Sequence, residues 1–545
     1  MTFPLIAHPD SHIPLGSEGA GTVPFFNLWT LQWNIDQLLR GYPSYWQAPI
    51  FAPTRGAFAF SEPQPLSALL ALPLWLGFRS PGLAYNGLVV LFLTLNGWFC
   101  YWLLRTWQAA HGPALLAGLL AQSMPFVAQE MGVLQLTAVF GFLWSLLYLN
   151  RFLAQPNRAN ALGLALGLPV AFFTCSYYGF FSLLFLPLAF FFLPGLKGLA
   201  GKTAGRLCLI SLLALALVLP LTLAQKAILD AHQLSRSPQT IQNNSARLRD
   251  YRLVLDYNLL YGRPAGRRSE QGQRLFPGWG LLLLAGVGVA GKRQKWDRLS
   301  SLSHKAVLRV KLYLCLAVIL ALVLSLGLNL QPGGWQPYQA LRQTLPGFER
   351  LRSPFRFAAL VQLHLVLLAG FGLDNLLRSK PETRLVTGLG RLLPLAVAGF
   401  ALLEMLALPL PLQALPPTST GLPWQTWLNG QGGKPRLILL PFAPSPQVAD
   451  FEQTTRWMLA GRAFAGEMVN GYSGFFPSEH AALRPAMLEF PTPEGLRLLR
   501  ERGVDYIVVY HALAGAPSKE AMEAHLPLVF YDPEQQVGVF GVIGY

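Results

Sequence analysis

Charge is what this sequence has least of. Asp, Glu, Lys and Arg make up 12% of its 545 residues while 52% are hydrophobic, and the mean hydropathy is +0.38. Soluble domains carry roughly a quarter charged residues, so this chain cannot cover a water-facing surface of its size. That excludes an ordinary soluble enzyme and requires a chain facing lipid. Cysteine is scarce too. Cys100, Cys175, Cys208 and Cys315 all fall inside apolar runs with no C-x-x-C spacing, which excludes a disulfide framework and a thiolate metal site. Acids are outnumbered by bases, 26 to 42, for a net charge of +16. No nucleic-acid module accompanies that excess, and the basic clusters lie between apolar runs, so the positive charge suits cytoplasmic loops and anionic head groups.

What is present is a series of apolar runs. Spans are expected at Gly82–Leu104, Pro113–Ala128, Met131–Asn150, Ala159–Ser176 and Phe180–Gly195, then at Leu207–Ala224, Leu275–Ala290, Leu312–Leu330, Phe355–Leu373 and Leu392–Leu410. The fold class is therefore mainly α, a polytopic bundle of about ten spans. Residues 1–81 form a loop with interfacial helices, 82–410 the transmembrane domain, and 411–545 a small α/β domain. The run Pro65–Phe78, with two prolines, reads as an interfacial helix. Thr2–Ala7 looks like the end of a helix, so a further span is expected upstream.

Basic residues in alternate short loops set the orientation. Arg105, Arg151 and Arg158, Lys197, Lys202 and Arg206, the group from Lys292 to Lys311, and Arg378, Lys380, Arg384 and Arg391 fall on one side. The turns Gln129–Glu130 and Tyr177–Gly179, on the other side, carry no Lys or Arg. The first loop and the tail are therefore expected outside the cytoplasm. The tail fits that separation. From Leu412 onward 9 Lys/Arg face 12 Asp/Glu, leaving −3 there and +19 on the rest.

The first loop holds His8-Pro9-Asp10, Ser17-Glu18, a helical run from Pro24 to Asp36 whose Trp29 and Trp33 suit a membrane interface, and Ser61-Glu62-Pro63-Gln64-Pro65-Leu66. An exported acidic loop, an interfacial helix, this Ser-Glu-Pro-x-Pro-Leu step and then many spans resemble the GT-C superfamily, multi-spanning glycosyltransferases that use polyprenyl-phosphate-linked sugars. The segments from Pro346 to Phe357 and from Val469 to Pro477 are similar to a less characterised bacterial branch near the YfhO-type membrane proteins.

The resemblance implies an acid in the first exported loop as catalytic base. Glu18 comes first and Asp10 second, since no acid lies just before Pro24; Asp36 and Glu62 are further candidates. It also implies a second acid in a later exported turn, where Glu130 stands. An inverting transfer needs one carboxylate to deprotonate the acceptor hydroxyl as it attacks the anomeric carbon. The leaving phosphate needs cations. Arg350, Arg352 and Arg356 bracket Ser353-Pro354, an expected N-cap and first helical residue whose helix end would favour an anion. Anchoring at head groups is the alternative role for these arginines, and a solvated charge or a cap on the interfacial helix for Glu62.

His364 and Glu404 lie within spans, where a hydrogen-bonded structural role is expected. In the tail, Arg436–Leu440 and Asp505–Tyr510 read as buried strands, Pro493–Arg502 as a helix and Leu528–Val542 as a hairpin. The aromatic loop Asn470–Pro477 reads as packing against the membrane sector, with sugar contact as its alternative.

The resulting expectation is a glycosyltransferase of a bacterial inner membrane. It moves a hexosyl or pentosyl group from a polyprenyl-phosphate-linked sugar to an exported glycan, lipid or protein. A lipid-linked saccharide transporter or flippase, or a non-catalytic envelope assembly protein, are the alternatives. The cofactor is undetermined, a divalent metal being one option, and no metal-ligand motif is present.

Overall fold

A computed structural model of the chain describes residues 2–193, 202–262, 272–291, 304–378, 389–416 and 422–542. Lys197, Lys292, Arg293, Lys295, Arg298, Lys380 and Arg384, expected in cytoplasmic loops, lie outside the described residues. In chain order, strand β1 (His12–Pro14) precedes helices α1 (Thr22–Arg40), α2 (Pro65–Phe78), α3 (Pro81–Thr106), α4 (His111–Gln122), α5 (Pro125–Gln129), α6 (Phe140–Ala154), α7 (Arg158–Thr174), α8 (Ser176–Phe192) and α9 (Lys202–Ala231). Then come α10 (Pro238–Asn243), α11 (Trp279–Ala290), α12 (His304–Ser325), α13 (Pro337–Thr344), α14 (Ala358–Arg378) and α15 (Leu389–Met405). The tail holds β2 (Leu412–Ala414), α16 (Pro423–Gly430), β3 (Arg436–Leu440), α17 (Glu452–Ala460), β4 (Glu467–Met468), α18 (Ser478–Leu488), α19 (Pro493–Glu501), β5 (Tyr506–Tyr510), α20 (Lys519–Glu523), β6 (Leu528–Asp532) and β7 (Val537–Gly541).

The chain divides into two compact units. The first gathers Met1–Pro9, Asn86–Leu223 and Ser235–Leu412; the second gathers Asp10–Tyr85, Ala224–Leu234 and Gln413–Tyr545. Residues 10–85 thus pack with the tail as one body.

The first unit is a helical bundle. Among the described residues five stretches are long and apolar enough to cross a membrane: Pro81–Thr106, Leu134–Ala154, Thr203–Ala231, Lys305–Ser325 and Pro354–Arg378. Arg158–Thr174, Ser176–Phe192, Trp279–Ala290 and Leu392–Met405 are shorter apolar helices at expected spans. The most extensive helix pair is α11 with α14. Its backbones meet where side chains are missing: a Cβ at Gly372 would collide with the Leu284 carbonyl, and one at Gly288 with that of Leu368.

One pair of expected spans is interrupted. Pro113–Ala128 and Met131–Asn150 were to meet in a two-residue turn, but α4 ends at Gln122 and α6 begins only at Phe140. Between them α5 and two 3-10 turns, Glu130–Gly132 and Leu134–Thr137, are wholly buried. Non-helical backbone in a membrane protein persists only where protein groups satisfy it. Here Tyr257 Oη donates to the Ala128 carbonyl at 2.7 Å, Tyr178 Oη to Leu136 at 2.6 Å and Asn96 Nδ2 to Thr137 at 2.8 Å. Gln362 on α14 accepts the Phe126 N–H at 2.9 Å and donates to the Leu275 carbonyl at 3.1 Å. Apolar periodicity does not register such long-range partners.

The two ionisable residues expected within spans, Glu404 and His364, have structural partners. The Glu404 carboxylate accepts the N–H groups of Trp279 and Gly280 at 3.0 and 2.5 Å and the Tyr261 hydroxyl at 2.7 Å, capping the N-terminus of α11. His364 lies between the Leu360 carbonyl, 2.6 Å away, and Tyr313 Oη, 3.1 Å away, with Phe142 and Phe185 rings against it.

The second unit contains the expected α/β domain. Its sheet runs β4-β3-β5-β7-β6. The pairings β4-β3 and β3-β5 are parallel, while β5-β7 and β7-β6 are antiparallel. The central strands are apolar on both faces, as buried parallel strands require, and Leu483, Met487, Leu499 and Val504 join their core. Beyond the short β4, Asn470 continues the pairing through its side chain: Oδ1 accepts the Leu439 N–H at 2.7 Å and Nδ2 donates to the Leu439 carbonyl at 2.9 Å.

Helix α1 belongs to this unit's interior. Phe25, Leu28, Trp29 and Ile35 are buried, the Gly21 N–H meets Glu452 Oε2 at 3.0 Å, and Asp36 pairs with Arg462 at 2.6 Å. Trp29, expected at a membrane interface, is a core residue because α17 and α2 cover the helix. The Asn470–Pro477 loop, expected against the membrane sector, packs instead on aromatic residues of its own unit: Tyr472 lies edge-on to Phe26, and Phe476 to Phe51. Helix α2 keeps Leu69, Leu76 and Phe78 exposed, as an interfacial helix would.

Candidate functional site

The polar residues of the irregular stretch and of the approach to α14 form one cluster in the first unit. Gln129 organises its acidic side. Its Nε2 donates to Glu130 Oε1 at 2.9 Å and to Gln273 Oε1 at 3.0 Å, and its Oε1 accepts the Arg274 N–H at 2.7 Å. Glu130 is 8% exposed. Burial raises its carboxyl above the ordinary carboxylate value, against the opposing pull of the Arg356 guanidinium, the Gln129 hydrogen bond and Arg352. A desolvated acid beside two fixed cations is a setting in which protonation states are tuned.

The cationic side is built on Tyr177 at the start of α8. The Arg356 guanidinium lies 4.3 Å from the centroid of its ring, a cation–π contact that fixes the side chain. Its hydroxyl oxygen accepts the Arg352 N–H at 3.1 Å. Arg356 is buried and Arg352 half-buried. Arg350 stands 3.7 Å from Glu349, an exposed acid that shares its charge.

The helix start differs from expectation. Pro354–Phe357 is a 3-10 turn leading into α14, and the Ser353 side chain makes no capping bond. Its φ of −126° and ψ of 84° place the hydroxyl away from the following N–H groups. Tyr338 and Arg342 lie on α13, which packs against the Phe348–Arg350 turn. Sequence reading missed both, because neither stands in a motif and α13 meets the cluster only through the fold.

The first-loop acids belong to the second unit. Asp10 is exposed and Glu18 half-buried in a turn whose N–H meets the Leu15 carbonyl at 3.2 Å. Glu62 is half-buried, and the N-cap position of α2 is taken by Gln64 instead, at φ 50° and ψ 44°. The structure therefore brings together Glu130, Arg352 and Arg356, and it holds Asp10, Glu18 and Glu62 in a different body. Among the described residues no group of three His, Cys, Asp or Glu side chains assembles to hold a metal ion.

No protein-family model matches the chain, and no curated protein matches it. Solved structures do. The arabinofuranosyltransferase AftD from mycobacteria, solved by cryo-EM as a point mutant in two classes, matches 98% of this chain with TM-scores of 0.56 and 0.57 at 15% and 14% identity. The two chains share a fold. This chain spans 40% of the AftD chain's length. The archaeal oligosaccharyltransferase AglB from Archaeoglobus fulgidus, in complex with an inhibitory peptide and a dolichol-phosphate, matches 96% of this chain and 70% of its own at 11% identity, with a TM-score of 0.41. The long apolar helices suit an integral membrane protein.

Proposed function

We propose that this protein is a membrane glycosyltransferase that moves a hexosyl or pentosyl group from a polyprenyl-phosphate donor to an exported glycan, lipid or protein acceptor. The observation that carries the reading is the Glu130 carboxyl, buried beside Arg352 and Arg356 in irregular backbone of an apolar bundle. In the reaction, Glu130 takes the proton of the acceptor hydroxyl as its oxygen bonds to the anomeric carbon. The bond from that carbon to the phosphate oxygen breaks, and the phosphate departs with the electron pair. Arg352 and Arg356 stabilise the charge that develops there. A carboxyl raised by burial is a better base than a solvated one, and no covalent intermediate is required.

Glu18 and Asp10 are the alternative bases, and Arg350 and Glu62 accessory contacts to donor or acceptor. The resemblance in Pro346–Phe357 and Val469–Pro477 keeps the chain near the bacterial YfhO-type proteins, in an inner membrane with its C-terminal domain outside. A transporter would draw on intramembrane charge pairs, whereas Glu404 and His364 are engaged in helix capping and core hydrogen bonds.

The test uses purified protein in lipid nanodiscs with a radiolabelled polyprenyl-phosphate sugar. Arg352→Ala should weaken donor binding about tenfold, the loss of one charge-assisted contact. Glu18→Gln and Asp10→Asn should retain transfer if Glu130 is the base. Full transfer with Glu130 replaced would move the base to the first loop. Labelled lipid crossing the bilayer with no transfer would establish the flippase instead.

A further inference from the structure

Two hydroxyls in this cluster are buried and have no hydrogen-bond partner among the described residues, Tyr338 Oη and Ser353 Oγ. Each residue is 1% exposed. A buried hydroxyl left unpaired destabilises a fold, and phenylalanine or alanine would fill the same space without that cost. Both hydroxyls belong to the same neighbourhood. Ser353 directly follows Arg352, whose N–H reaches the Tyr177 oxygen at 3.1 Å. Tyr338 interacts electrostatically with Tyr177 and with Arg342. The Tyr177 ring in turn carries the Arg356 guanidinium, 4.3 Å away. Two unpaired O–H donors in a cluster that also holds Arg342, Arg352 and Arg356 match an anion with several acceptor oxygens.

We propose that the hydroxyls of Tyr338 and Ser353 donate hydrogen bonds to the phosphate oxygens of a polyprenyl phosphate held by Arg352 and Arg356. The inference rests on the donor reading above and assigns two ligand contacts, of which Tyr338 stands in no sequence motif. It also explains why the fold tolerates both groups: the partner arrives with the ligand.

Polyprenyl phosphate and inorganic phosphate are titrated separately against wild type, Tyr338→Phe and Ser353→Ala in nanodiscs, and thermal midpoints are recorded without ligand. Each variant should bind polyprenyl phosphate about ten- to hundredfold more weakly, the range for losing a hydrogen bond to a charged group. Each should melt at or above the wild-type midpoint, since no protein partner is lost. Polyprenyl-phosphate affinities within twofold of wild type would overturn the proposal, whether the midpoints held or fell; a fall would assign the hydroxyls to bound water. Inorganic phosphate binding as tightly, with the same sensitivity, would overturn the lipid as its source. A wild type that binds no polyprenyl phosphate would remove the donor reading itself, whereas binding insensitive to both variants removes only the hydroxyl contacts.

Discussion

Replacing Glu130 by glutamine separates catalysis from binding with opposite signs. A general base contributes about 10²- to 10⁴-fold to rate, on the order of 3–5 kcal/mol of barrier, so Glu130→Gln should lower transfer by that factor. Donor binding should move the other way. The carboxylate stands near Arg352 and Arg356 and repels a phosphate placed against them. At roughly 7 Å and an effective dielectric of about 20 a like-charge pair is worth about 2 kcal/mol. Discounted for partial protonation, its removal should tighten polyprenyl-phosphate binding about three- to tenfold. The pH dependence follows from the upward shift. The base is active only when ionised, so the acidic limb of the rate profile should lie above the usual carboxylate value. Folding raises this carboxyl, so its contribution to stability is greatest below the unfolded value and is lost as pH rises through the folded one; the glutamine variant should gain on wild type over that window. The measurements are single-turnover transfer, donor binding and melting in nanodiscs from pH 4 to 8. Turnover within threefold of wild type, or weaker donor binding, would refute the assignment.

Three further outcomes follow. Glu404→Ala strands two N–H groups and a tyrosine hydroxyl, and at about 1–3 kcal/mol each it should cost on the order of 3–9 kcal/mol by thermal unfolding in nanodiscs; Glu404→Gln should cost less and leave donor binding intact. Asn470→Ala removes both side-chain bonds to Leu439 and should destabilise the second unit by roughly 2–4 kcal/mol, read as earlier protease cleavage in the tail. Reporter fusions at Tyr545 and Lys295 should report opposite sides of the membrane, and a common side would undo the orientation.

The helices and the tail were legible because each depends on local pattern. Leu437–Leu440 is an unbroken apolar run, and Pro493–Glu501 sets Leu496 and Leu499 against Arg497 and Arg500. The break between α4 and α6 was not legible, since the groups that make it tolerable are Tyr257, Tyr178, Asn96 and Gln362, far away in sequence. The arginines before α14 were readable from spacing, but their support on Tyr177 was not. Trp29 was misplaced for a related reason: an amphipathic face looks the same whether it meets lipid or protein, and here α17 and α2 meet it. The first-loop acids stood out because the chain has few, and scarcity says nothing about where they fold.

The glycine contact between α11 and α14 has a mechanical meaning. Backbones that meet at Gly288 and Gly372 with no room for a methyl behave as a rivet, and α14 can neither slide nor turn on its neighbour without prising it open. Arg356 precedes the same helix by two residues, so its backbone is carried by a helix that this contact holds in register.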